Sequence, residues 1–240
     1  MMHRRGFLLG GAALAVAGRA MAQQQGDGKV RPDERSVFIV VDVQNCFVPG
    51  GSLAVQKGDE VVPIINKLAK GFRNVVLTQD WHTLDHISFA SQHAGKKPFD
   101  LIELPYGKQV LWPDHCVQGT QGAELVKGLD IPHAQLVIRK GYRRSVDSYS
   151  AFYEADAKTA TGLGGYLKQR GLETVFVAGL ATDFCVAFTA LDARKEGFSC
   201  YVVEDACRGI DAQGSLAAAW DRMNAAGVKR IQSGDIVFPA

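Results

Sequence analysis

Short, unbroken runs of β-branched and aliphatic residues recur at positions 37–41, 75–78, 136–138 and 174–178, with 201–203 a fifth and 228–231 a weaker sixth. Runs that are continuous rather than alternating predict strands covered on both faces. Between them, apolar positions fall at helical spacing over 60–72, 155–170, 184–197 and 214–226. Gly71, Gly171, Gly197 and Gly227 stand where a helix is expected to end. Strands alternating with helices predict an α/β chain: a single three-layer α/β/α domain with a mainly parallel six-stranded sheet.

In a sheet of that kind the binding crevice lies beyond the carboxyl ends of the strands. The residues just after each run are therefore candidates: Asp42 after the first, Asp80 after the second, Lys140 after the third, and Gly179-Leu180-Ala181-Thr182 after the fourth. The stretch 81–132 carries little regular pattern. Loops so long are usually functional.

Composition narrows the picture at one end of the chain. Of 240 residues, 47% are hydrophobic and 22% charged, the balance of an ordinary globular protein. Residues 1–22 differ: basic His3-Arg4-Arg5, an apolar run over 7–16, then Ala20-Met21-Ala22 as a cleavage site. The run is shorter than the roughly 20 residues a bilayer span needs. Arg4-Arg5 before Gly6-Phe7-Leu8 resembles a bacterial twin-arginine export signal, so a periplasmic location is expected. Residues 23–35 read as a polar tether and 36–240 as the domain. Without residues 1–22 the chain carries 24 basic and 25 acidic side chains, a formal charge near −1. Nothing in that balance favours nucleic acid, or stable membrane association after cleavage. Whether the chain forms a homo-oligomer is left open.

Cys185 lies three residues after Thr182, where the fourth strand turns into a helix. A thiol in a first helical turn, with Lys140 near it, is expected to have a lowered pKa. Asp42 can take the thiol proton and later pass it to a departing amine. Backbone N–H groups of the 180–185 turn are natural oxyanion donors. Taken singly, each residue has a plainer use: a buried apolar cysteine, a capping aspartate, a solvated lysine. Their joint position at strand ends sets them apart. Asp80 and His82, with His86 and His115 further on, form a second group suited to Zn, Fe or Mn with open positions for water. His93 and His133 read as ordinary surface histidines. Five cysteines leave room for two disulfides, but Cys200 and Cys207 on one strand would stand about 23 Å apart at ~3.3 Å per residue, and no required disulfide is expected.

Several segments together resemble one family. They are Val41-Asp42-Val43-Gln44-Asn45 with Phe47, Gly50-Gly51-Ser52-Leu53, Gln79-Asp80-Trp81-His82, Trp112-Pro113-Asp114-His115-Cys116, Asp147-Ser148-Tyr149-Ser150-Ala151-Phe152 and Gly179-Leu180-Ala181-Thr182-Asp183-Phe184-Cys185. In order and over nearly the whole mature chain, they are similar to the nicotinamidases (pyrazinamidases) among the isochorismatase-like cysteine hydrolases. The resemblance implies the isochorismatase-like fold and hydrolysis of nicotinamide, with pyrazinamide also expected, to nicotinate and ammonia through a Cys thioester. It implies a triad of Asp42, Lys140 and Cys185. It also implies one divalent metal on Asp80, His82 and His115, with His86 a candidate further ligand. A cis peptide at Leu180-Ala181 is implied, with the Ala181 and Cys185 amides as oxyanion hole. Phe47, Trp112 and Tyr149 are implied as walls for a small aromatic carboxamide. Cys46 departs from the pattern, standing where many relatives are acidic, so a second thiol is expected near the pocket mouth. The alternatives are an N-carbamoyl or ureidoacrylate hydrolase of the same superfamily, and a non-catalytic periplasmic protein binding nicotinamide or metal.

Overall fold

The computed structural model describes residues 28–238. The export signal expected at 1–22 lies outside them, and the elements that follow are those of the described residues. Eight strands and four α-helices follow in the order β1 (Ser36–Val41), α1 (Val61–Ala69), β2 (Asn74–Asp80), β3 (Leu101–Leu104), β4 (Gly107–Val110), β5 (Leu136–Lys140), α2 (Leu163–Gln169), β6 (Thr174–Leu180), α3 (Ala187–Lys195), β7 (Ser199–Arg208), α4 (Ser215–Ala225) and β8 (Lys229–Ile231). Six strands form one sheet ordered β5-β2-β1-β6-β7-β8, every neighbouring pair parallel. The chain runs from β1 through α1 to β2 on one side and from β6 through α3 to β7 on the other. Right-handed crossovers in opposite directions place α1 and α3 on opposite faces, giving the three layers expected.

Burial follows position in the sheet. All residues of β1 and β2 are buried, because both strands are flanked and covered. The edge strands differ: β5 buries only Ile138 and Lys140, and β8 buries none of its three residues fully, so the expectation of two covered faces fails at both edges. α1 forms because Val61, Val62, Ile65, Leu68 and Ala69 share one buried face, and Pro63 falls in the first turn, where its missing N–H costs nothing. α3 lays Ala187, Ala190 and Ala193 on the sheet, small residues that let the helix sit close.

One expectation needs correcting and two need refining. The helix expected over 155–170 begins only at Leu163. Asp156 accepts the backbone N–H groups of Lys158 and Thr159 at 2.9 and 2.8 Å, and this local turn competes with a helix. Gly71 follows the end of α1 as expected, but without the left-handed conformation found at Gly171, Gly197 and Gly227. It is small because the Phe238 ring lies where its side chain would be. Val30, within the polar tether expected over 23–35, bridges in parallel to Ile236, so the chain is fastened to the domain from there.

Gly179 sets how closely the two central strands approach. Its φ of +122° is open to glycine, and a side chain there would come within 2.1 Å of the Val41 carbonyl oxygen. β1 and β6 therefore press together one residue before Asp42. The stretch 81–132 is ordered by a small β3–β4 hairpin and by isolated bridges, His82 to Val117 and Phe89 to Trp112.

Candidate active site

The carboxyl ends of β1, β2, β5 and β6 bring Asp42, Asp80, Lys140 and Cys185 to one point. Lys140 is fully buried at its centre. Its ammonium lies 2.8 Å from Asp42 Oδ2, donates to Asp80 Oδ1 and to the Ser148 carbonyl at 2.9 Å, and lies 3.3 Å from Cys185 Sγ. A buried cation is tolerated only when so surrounded. Burial alone would lower its pKa, but Asp42 and Asp80 raise it well above the usual range, so it stays charged.

Asp42 has a left-handed backbone, φ +49°, unusual for a residue with a side chain. Thr78 holds it there by donating to Oδ1 at 2.5 Å and accepting the Asp42 N–H at 3.1 Å. Oδ2 has no aligned hydrogen-bond donor despite the ammonium at 2.8 Å, and one carboxylate oxygen of Asp42 lies within 4.8 Å of Cys185 Sγ. Burial raises the Asp42 pKa, with Lys140 opposing.

The thiol itself reverses an expectation. Burial pushes the Cys185 pKa well above its ordinary value, Lys140 opposes, and Asp42 and Asp80 reinforce the rise. The lowering expected from a helix start does not prevail, because the thiol is enclosed and faces two carboxylates. Its local element is also a wide π-type turn over Thr182–Val186 rather than a regular first turn. Burial thus favours the protonated thiol of Cys185, beside an Asp42 carboxylate that also faces the Lys140 ammonium. The Leu180-Ala181 peptide is cis, as expected.

Asp80 joins this group to a second one. Burial would raise its pKa, yet Lys140, His82 and hydrogen bonds from His115 and His82 hold it well below the usual range. Its Oδ2 faces His82 Nε2 at 3.5 Å and His115 Nε2 at 3.7 Å. The Nδ1 atoms of both histidines meet backbone carbonyls, Gly141 and Pro113, at 2.8 Å. A carbonyl only accepts, so each Nδ1 donates a hydrogen there, and Nε2 is the ring nitrogen turned toward Asp80. Asp80 and the two histidines bring three buried ligand atoms within 4.8 Å of one another, and this carboxylate and imidazole set suits a divalent metal. Gly141 makes room for this: a side chain there would lie 2.5 Å from the His82 ring.

His86 packs 4.2 Å from the His82 ring, centroid to centroid, but both its nitrogens have protein partners, Ser88 Oγ at 2.7 Å and the Val146 carbonyl at 3.1 Å. Burial, then His82, lowers its pKa to about 4. It sits beside the cluster, and ligation would cost it the Val146 bond.

A cleft of about 320 Å³, open to solvent, lies over the thiol. Phe47, Trp112 and Tyr149 line it as expected, and Leu53, Asp147, Phe184 and Ile210 complete it. Leu53, Asp147 and Phe184 belong to the motifs that carry the resemblance, but no role for them could be read from the sequence. Thr78 was also missed, although it precedes Asp80 by two residues and so shares its strand face. His93 and His133 stay outside the site and bond backbone carbonyls.

Cys46 is not the free thiol expected. It is disulfide-bonded to Cys116, 70 residues on. The bond joins the residue before Phe47 to the residue after His115, two segments that the fold brings side by side. Sequence spacing carried no sign of it. Cys185, Cys200 and Cys207 are free and buried.

A buried thiol, carboxylate and ammonium at the carboxyl ends of a parallel sheet define a hydrolase of the α/β class that uses cysteine. Residues 36–235 match the model of the isochorismatase domain, and the chain belongs to that family. It is 59% identical over 209 residues to the nicotinamidase of Acinetobacter baylyi, covering 87% of this chain and 98% of that one. Among solved structures it is similar to an Acinetobacter baumanii nicotinamidase (62% identity, TM-score 0.84, 85% and 98% covered). It is also similar to PnC1 from L. infantum in complex with nicotinate (40%, 0.78, 88% and 100%). A third is the pyrazinamidase of Pyrococcus horikoshii in complex with zinc (35%, 0.69, 82% and 99%).

Proposed function

We propose that this chain hydrolyses nicotinamide to nicotinate and ammonia, with pyrazinamide as a second substrate, and that Cys185 is its nucleophile. The observation that carries the reading is the buried Cys185 sulfur, within 4.8 Å of an Asp42 carboxylate oxygen and 3.3 Å from the Lys140 ammonium, under an aromatic cleft.

In this scheme the flat ring lies between Phe47 and Trp112, with its carboxamide over Cys185. Asp42 takes the thiol proton as Sγ forms a bond to the carboxamide carbon. The Ala181 and Cys185 amides receive the oxyanion. Lys140 keeps Asp42 and the developing thiolate in a cationic field. Asp42 then gives its proton to the amine, the C–N bond breaks and ammonia leaves. A water that loses its proton to Asp42 attacks the thioester, and nicotinate departs as the thiol reforms.

Asp80, His82 and His115 would hold a divalent ion, Zn, Fe or Mn, which supplies a charged anchor for the ring or for a water. His86 stands behind them as a support for His82. Export by the twin-arginine signal fits a periplasmic enzyme acting on amides before uptake.

The test is ammonia release from nicotinamide by the mature protein, with and without chelator and thiol alkylation. Turnover lost on alkylation of Cys185 supports the reading. Turnover that survives complete Cys185 alkylation overturns it. Fractionation with N-terminal sequencing tests export, and activity confined to the cytoplasm with residues 1–22 still attached overturns that part.

A further inference from the structure

The β3–β4 hairpin lies outside the main sheet, and its residues are exposed or half-exposed with one exception. Gln109, a polar residue, is 1% exposed. Its carboxamide orientation is fixed by its partners. Tyr106 donates its hydroxyl to Oε1 at 3.0 Å, so Nε2 is the other end. Nε2 has two hydrogens for three acceptors, the Val110 carbonyl at 2.6 Å, Asp147 Oδ2 at 2.8 Å and the Tyr149 hydroxyl at 3.0 Å, so the bond to Tyr149 is a shared one. The hairpin thus reaches the cleft wall through one buried side chain, since Asp147 and Tyr149 both line the cleft.

The Tyr149 hydroxyl is enclosed in an informative way. Trp112 Nε1 approaches it at 3.0 Å, and Gln109 Nε2 at the same distance. An indole N–H and an amide NH₂ are donors only. The hydroxyl oxygen therefore accepts, and its own hydrogen can go toward neither neighbour. Among the described residues it donates no hydrogen bond. The direction left to it is the cleft. A partly buried phenol that faces only donors and has its hydrogen unclaimed is built to give that hydrogen to a ligand.

We propose that Tyr149 donates a hydrogen bond to an acceptor atom of the bound heteroaromatic amide, and that Gln109 is the positioning residue which turns the phenol that way. The proposal rests on the nicotinamide-hydrolase reading. Gln109 touches no reacting atom and acts through Tyr149 and Asp147.

The experiment measures KM and kcat for nicotinamide in the metal-loaded protein, comparing wild type, Tyr149→Phe, Gln109→Glu and the double variant. Tyr149→Phe deletes the donor and should raise KM about three- to tenfold, more than it lowers kcat. Gln109→Glu offers the phenol an acceptor on the wrong side and should raise KM similarly. In the Tyr149→Phe background the same change should add little, because no phenol hydrogen remains to divert. A KM within twofold of wild type for Tyr149→Phe overturns the proposal, as does a Gln109→Glu effect undiminished in the double variant. If Gln109→Glu fails to fold beside Asp147, Gln109→Met takes its place: with both amide donors gone the phenol can turn, and the same non-additivity is expected. Wild type that releases no ammonia from nicotinamide defeats the substrate reading instead. The hydrogen bond is then judged from nicotinate binding, followed by tryptophan fluorescence, which Tyr149→Phe should weaken three- to tenfold and which no change in affinity would refute.

Discussion

Replacing Lys140 by methionine tests the electrostatic arrangement at its centre. The substitution keeps most of the side-chain length and removes only the charge. At 2.8 Å, and with an effective dielectric constant near 20, the attraction between the ammonium and Asp42 is about 6 kcal/mol before desolvation. Breaking a buried pair by removing one partner leaves a net loss of about 3–5 kcal/mol. Lys140→Met strands two carboxylates, Asp42 and Asp80, both buried. Lys140 lowers the pKa of each, so both rise when it goes. A carboxylate whose folded pKa stands above its unfolded value of ~3.9 destabilises the fold above that folded pKa, and the penalty fades as pH falls toward the unfolded value. The variant's deficit should therefore be about 3–5 kcal/mol at pH 8 and visibly smaller at pH 5. Urea unfolding of chelator-treated protein at the two pH values measures it, since a bound metal would shield Asp80. Activity should fall at least about 100-fold at neutral pH, because a protonated Asp42 cannot accept the thiol hydrogen. A deficit below 1 kcal/mol at pH 8, or one equal at both pH values, would refute the reasoning.

Three further outcomes are expected. Cys185→Ala should lower kcat by about 10⁴-fold or more while keeping affinity for nicotinate, which calorimetry can compare with turnover. Burial raises the Cys185 pKa well above 9, so its alkylation by iodoacetamide, followed by mass spectrometry, should be slow at pH 7 and climb through pH 9 without a plateau; a plateau near pH 7 would mean a resting thiolate. Changing Cys46 and Cys116 together to serine removes a cross-link spanning 70 residues and should lose about 4 kcal/mol against denaturant, and a loss under 1 kcal/mol would show that packing alone holds the two segments.

The core of the fold was legible because buried parallel strands are written as unbroken apolar runs, and β1, β2 and β6 coincide with such runs. The site was legible for a related reason: Asp42, Asp80 and Lys140 directly end or follow strands, so one rule of sheet architecture located them. What escaped depends on contacts between distant segments. Cys46 and Cys116 pair only because loops 70 residues apart fold together. Gln109 has a role only because a hairpin with no strong sequence signal lies over Tyr149. The direction of the Cys185 shift was misjudged because local position suggests a helix start, whereas the full surroundings add burial and two carboxylates. The short α2 was overextended because a turn built by Asp156 is invisible to hydrophobic periodicity.

Val41 and Gly179 stand directly opposite each other in register, pressed closer than any side chain at 179 would permit. Asp42 comes one residue after the first and Cys185 six after the second. The separation of base and nucleophile is thus inherited from the stiffest part of the molecule, while much of the ring-holding wall comes from loops. Such an arrangement divides evolutionary risk unevenly. Loop changes can trade one ring for another without disturbing the bond-breaking geometry, whereas a single methyl group at Gly179 would reach the chemistry at once. An engineer seeking a new amide for this scaffold should vary cleft-lining residues such as Leu53 and Ile210 and leave the β1–β6 seam alone.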